Sequence, residues 1–79
     1  MITSAQIRAA RALLDWSRKM LSEKSGVGIS ALMRLEASNG IPGGNIKTFE
    51  SVQKALEKAG IQFIGTPDDG PGVRLFSKD

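Results

Sequence analysis

The chain has 79 residues, 11 Lys and Arg against 8 Asp and Glu, and a formal net charge of +3; that length fits one domain whose core is only marginally stable alone, so help from a partner subunit is expected. It contains no Cys and no His, which excludes a disulfide framework, a thiolate metal site and the commonest general base, so neither a metal nor a cofactor is expected. No apolar run is long enough to span a bilayer, and the N-terminus lacks the basic-then-apolar pattern of a signal peptide, so the expectation is a soluble cytoplasmic protein.

Thr3 and Gln6 have the spacing of a capping box, and the Ala- and Leu-rich run SAQIRAARALLD that begins within it predicts a strong first helix. Ile7, Ala10 and Leu14 form its apolar stripe with Leu13 beside it, and Trp16 is placed to plug the core at its end. Ser17 caps a second helix, RKMLSEK, with Met20 or Leu21 inward, and Gly26 suits the left-handed residue that closes it. Val27 is a core contact in the turn. Gly28 takes the next N-cap, and ISALMRLEA forms a third helix with Leu32, Leu35 and Ala31 inward. Asn39-Gly40 is expected to end that helix, and IPGG to form a loop. Asn45 caps a fourth helix, IKTFESVQKALEKA, with Ile46, Phe49, Val52, Leu56 and Ala59 on its apolar side and Gly60 closing it. The tail changes character: IQFI (61–64) and VRLF (73–76) predict two short strands joined by an open GTPDDGPG loop. A lone hairpin is marginal in water, so these strands must lie on the helices or pair with another chain.

Charge is unevenly spread. Residues 1 to 58 hold nine basic and five acidic residues, net +4, whereas residues 59 to 79 hold two and three, net −1. A basic face of that kind attracts nucleic acid or an anionic membrane, or simply lies solvated. Two short helices joined by a Gly-containing turn form a helix-turn-helix pattern, whose mechanical result is a second helix held proud of the body, in a shape that fits a DNA major groove.

The segment LLDWSRKMLSEKSGVGISALMRLEAS resembles the Cro/repressor-type (XRE-type) helix-turn-helix regulators, through Trp16, Ser17, Leu21, Gly26, Val27, Leu32, Arg34, Leu35 and Glu36. The resemblance covers about residues 4 to 60. It implies a mainly α, compact, lambda-repressor-like domain of four or five helices over residues 1–60. The pair of strands in residues 61–79 would follow as a possible dimerisation element. The tail GIQFI…GPGVRLF is itself similar to the ending of some short bacterial regulators of this type. The implied partners are double-stranded DNA and a second copy of the chain, with neither a membrane nor a small-molecule ligand. The implied function is sequence-specific DNA binding and transcriptional repression.

Carried onto this chain, the family pattern gives Gly28, Ile29, Ser30, Met33 and Arg34 as base contacts, with helix 29–37 in the groove. Arg34 has the bidentate fork that suits guanine, worth about 1–3 kcal/mol of discrimination, while Ile29 and Met33 offer only apolar contact to thymine methyls. Arg18, Lys19, Lys47 and Asn45 are the expected phosphate contacts, Asn45 together with the amides of Gly43 and Gly44; Arg8 is expected to be solvated or to face phosphate. The family pairs the residue at Glu36 with a first-helix arginine, here Arg11, as a structural ion pair. The chain departs from the pattern at Arg18, where Gln is usual, at Gly28, where Ser is usual, and at Ala31, where Thr is usual. The last two changes remove hydroxyls, leaving an unusually apolar reading set that relies on DNA shape or docks on protein.

The alternative function is therefore a protein-interaction module on the same scaffold, an antitoxin or anti-activator. An enzyme is not expected. Ser51 and Lys54 have Ser-x-x-Lys spacing without the companion motifs, GGNIKT puts Ile46 where a phosphate loop needs its second Gly, and Asp68-Asp69 are two carboxylates without further ligands.

Overall fold

The computed structural model describes residues 2 to 37 and 45 to 76. Among them, four α-helices precede one antiparallel hairpin: α1 (Ser4–Leu14), α2 (Arg18–Ser25), α3 (Ile29–Ala37), α4 (Ile46–Lys58), β1 (Ile61–Thr66) and β2 (Asp69–Leu75). The expected end of the third helix at Asn39-Gly40 and the loop containing Gly43 and Gly44 lie outside the described residues.

Three helices begin at a side chain that takes over their unpaired amides. Thr3 and Gln6 form the capping box of α1, Ser17 Oγ accepts from Met20 N–H, and Asn45 Oδ1 accepts from Lys47 and Thr48 N–H. Helix α1 ends in a Schellman closure, with Trp16 N–H on the Arg11 carbonyl at 2.9 Å and Asp15 N–H on the Ala12 carbonyl at 3.1 Å. Asp15 takes the left-handed conformation there, at φ 58°.

The turn between α2 and α3 is short because every part of it is tied. Gly26 takes φ 75° and its N–H reaches the Ser22 carbonyl at 2.9 Å. Ser22 Oγ donates to the Val27 carbonyl at 2.7 Å, and Val27 N–H donates to Ser25 Oγ at 3.2 Å. Leu32 N–H bonds the Gly28 carbonyl at 3.1 Å, which makes Gly28 the N-cap of α3. A glycine has no side chain to cover the amides of the first turn.

Ile7, Ala10, Leu21, Val27, Leu32, Leu35, Phe49, Val52, Leu56 and Ile61 form one core, with Leu14, Trp16, Ala31, Phe63 and Val73 packed against it. Of the two inward candidates on α2, Leu21 is buried and Met20 exposed. Two assignments differ from expectation: Leu13 lies on the exposed side of α1, and Ile46 is 66% exposed. Ile46 has the right spacing for the α4 stripe, but it is the first helical residue and the core ends at Phe49.

The strands are longer than the sequence suggests. Pairing runs from Ile61↔Leu75 through Ile64↔Gly72 to Thr66↔Asp69, so only Pro67 and Asp68 remain as a turn. The ladder is irregular between Ile64 and Thr66, and Gly70 and Pro71 sit in that bulge, where proline loses no ladder bond. Gly65 makes the close approach possible: its φ is 77°, and a Cβ there would stand 2.3 Å from the Gly70 carbonyl oxygen.

The hairpin lies on the helices, with Ile61 buried and Phe63 and Val73 half-buried. Gln6 fastens it: Oε1 accepts from Thr3 N–H, while Nε2 donates to the Ile64 and Gly72 carbonyls at 3.0 and 2.8 Å. Residues 61–76 are thus part of the same packed unit as the helices, and removing them would open the core as well as any contact between chains.

Candidate nucleic-acid interface

Helix α3 has two chemically distinct sides. Leu32, Leu35 and Glu36 are buried, whereas Gly28, Ile29, Ser30, Met33, Arg34 and Ala37 are exposed. The 3.6-residue period puts Ser30, Met33, Arg34 and Ala37 on one strip, with Ile29 beside it at the open end. Ile29 and Met33 are 44% and 51% exposed, high values for large apolar side chains. Neither α2 nor α3 has an acidic residue in its first turn.

The buried side is anchored by polar ties from α1. Ser4 Oγ donates to the Leu35 carbonyl and Arg8 Nη1 donates to the Glu36 carbonyl, so α1 takes over carbonyls at the end of α3. Arg11 grips the Glu36 side chain bidentately, Nε to Oε2 at 2.8 Å and Nη2 to Oε1 at 2.9 Å, while its Nη1 donates to the Trp16 carbonyl at 3.0 Å. Burial by itself raises the Glu36 pKa; the hydrogen bonds and charge of Arg11, then of Arg18, outweigh it and hold the carboxyl below its ordinary value. The same bond to Glu36 raises the already high pKa of Arg11 against the opposing effect of burial.

Several expected site residues stand differently. Arg18, expected on phosphate, turns towards Glu36, with Nε and Nη2 at 3.2 and 3.1 Å from Oε1. The reason is electrostatic: Glu36 is the only acidic residue between positions 24 and 49, and it is already buried beside α1. Arg8, expected to be solvated or to face phosphate, caps α3 instead. Asn45 stands as the expected cap of α4, its side-chain Oδ1 occupied with the Lys47 and Thr48 amides. Lys19 and Lys47 are exposed.

The polar ties from α1 had a partial sequence signature. Ser4, Arg8 and Arg11 recur at i, i+4 and i+7 and form a polar strip along the apolar one. The hairpin clamp at Gln6 had none, because its capping-box role already accounted for that residue. Of the enzyme-like patterns, Ser51 donates to the Lys47 carbonyl of its own helix at 2.9 Å, and Ser51 and Lys54 are both exposed. Among the described residues, no helix is long and apolar enough to cross a membrane. The chain matches no protein-family model and no curated protein.

Proposed function

We propose that the chain is a DNA-binding regulator of the Cro/repressor type, a lambda-repressor-like domain that inserts α3 into the major groove and represses transcription by occluding its site. One observation carries this reading. The helix after the tight Gly26 turn has Gly28, Ile29, Ser30, Met33 and Arg34 exposed together, while its opposite side is fixed by core packing and by polar ties from α1 and α2. Arg34 supplies the hydrogen-bonding readout and Ile29 and Met33 the contacts to thymine methyls. Lys19 and Lys47 contact phosphates and make binding salt-dependent. The protein acts as a homodimer, with two α3 helices about 34 Å apart on a palindromic site. The second copy is expected at the hairpin, where Ile64, Leu75 and Phe76 are exposed.

Selection of bound duplexes from a random pool tests the reading, and an enriched palindrome is the expected result. A pool with no enrichment over its input overturns it. Arg34→Ala should weaken selected duplexes more than random ones. The dimer is tested by sedimentation of Phe76→Ser, expected to run as a monomer, since Phe76 lies outside the core.

The exposure of Ile29 and Met33 favours a second reading, a docking surface for another protein. Salt separates the two readings: phosphate binding weakens steeply as NaCl rises, whereas apolar docking does not.

A further inference from the structure

Glu36 is satisfied more than once. Arg11 alone occupies both of its carboxylate oxygens, yet Arg18 adds two further contacts to Oε1. One carboxylate between two guanidiniums leaves a charge of +2 − 1 = +1. The side chain of Glu36 is 2% exposed and that of Arg11 20%, but that of Arg18 is 39% exposed. The surplus charge therefore reaches solvent at Arg18.

The geometry of the fork decides what that charge can do. A guanidinium has two hydrogen-bonding edges, a side edge formed by Nε and Nη2 and an end edge formed by Nη1 and Nη2. Arg18 spends its side edge on Glu36. Among the described residues, no protein acceptor meets its Nη1. The side chain is thus held on one edge while the other remains available to a second anion. A lysine ammonium can bridge two anions through its three donors, but it has no planar fork by which one contact fixes the direction of the other.

We infer that Glu36 is a positioning residue for Arg18, fixing its guanidinium by one edge so that the other is presented to a phosphate oxygen of the bound duplex. This rests on the duplex-binding reading above and deepens it. The buried carboxylate that ties α3 to α1 also sets, through Arg18, where the phosphate backbone lies relative to α3. Base-reading and phosphate-gripping groups are then held in one frame by a single side chain.

The test uses full-length protein and a duplex taken from the selection, titrated with NaCl. Arg18→Met should reduce the slope of log affinity against log salt by about one phosphate contact. Arg18→Lys should keep that slope yet bind about fivefold or more weakly, because the charge stays and the two-edged geometry goes. Glu36→Gln, measured below its melting transition, should weaken binding by a clearly larger factor in the parent chain than in the Arg18→Met chain, where only its tie to Arg11 is left to lose. The Nε–H resonance of Arg18 should exchange slowly in the free protein and remain slow in the complex. An Arg18→Lys chain within roughly twofold of the parent at the same slope overturns the inference, as does fast exchange of that Nε–H in the free protein. A parent chain that retains no duplex at low salt sinks the duplex-binding reading itself, whereas a parent that binds with Arg18→Lys unaffected sinks only the positioning role.

Discussion

Replacing Glu36 with Gln removes the negative charge at which α1, α2 and α3 meet. Glu36 is 3% exposed as a residue, so the carboxamide cannot be rescued by water. Its NH2 would face guanidinium donors that now lack an acceptor. Breaking a fully buried ion pair by removing one partner costs about 3–5 kcal/mol. Here Arg11 keeps the Trp16 carbonyl and both arginines touch solvent, which lowers the expected loss to about 2–3 kcal/mol. A domain of this length has about 4–12 kcal/mol of stability in total, so the loss is a large share. At about 4–8 °C per kcal/mol, the melting temperature should fall by roughly 10–20 °C at pH 7. Circular dichroism melts and urea titrations measure it. The pH dependence gives the sign. The carboxyl is held below its ordinary value in the folded chain, so its stabilisation is fully present above the unfolded value of about 4.3 and is lost as pH falls through the lower folded value. Parent and variant should therefore converge progressively as pH falls below the unfolded value of about 4.3. A variant melting within about 2 °C of the parent at pH 7 refutes the reasoning, as does a gap that persists unchanged in acid. A double variant, Arg11→Met with Glu36→Leu, should recover part of the loss, because it removes the more buried unpaired charge, while Arg18 turns to solvent and the Trp16 carbonyl loses its donor.

Three further outcomes follow from the same geometry. Gly65→Ala meets both a left-handed φ of 77° and a carbonyl oxygen 2.3 Å from the new Cβ; it should cost at least about 2 kcal/mol in urea denaturation. Gln6→Leu strands Thr3 N–H and the Ile64 and Gly72 carbonyls; it should cost about 1–3 kcal/mol, with hydrogen exchange rising first in residues 61–76. Asp15→Gly relieves a non-glycine at φ 58° and removes an anion from the negative end of α1; it should stabilise by about 0.5–1 kcal/mol, seen as a higher melting temperature.

The helices were legible because their signals are local. Thr3 with Gln6, Ser17, Gly26 and Asn45 each mark a boundary by a hydrogen bond or backbone conformation within four residues in the chain, and each stands where the structure has it. The apolar stripes were readable for the same reason, except at Leu13 and Ile46, where periodicity continues past the edge of what the other elements cover. The hairpin is legible in the sequence, but its loop reads too long there because Gly and Pro favour turns in general. Only the register, with the Gly65 backbone against Gly70, shows those residues serving a bulge. On the candidate site, the outer strip of α3 was readable from period and position. The destination of Arg18 was not: its choice of Glu36 depends on how α2 packs beside α3, which neither segment encodes alone.

Those long-range ties explain why α3 is held unequally along its length. Its last turn carries the contacts from Ser4, Arg8, Arg11 and Arg18, on both backbone and side chain. Its first turn begins at Gly28, which provides no side-chain cap, and continues with the exposed Ile29 and Ser30. The amides there are left to solvent or to a ligand, while the far end is fixed to the body. On the proposed reading this is the useful asymmetry. A helix that meets a groove through its N-terminal residues needs that end unencumbered and its orientation fixed from the other end. Adding a strong cap by Gly28→Ser would then separate two effects, since Ser at an N-cap differs from Gly by only a few tenths of a kcal/mol in stability. Its melting temperature should barely move. Its duplex affinity should change by more than stability accounts for, because the new hydroxyl occupies an amide at the exposed end. Equal small changes in both would place Gly28 outside the interface.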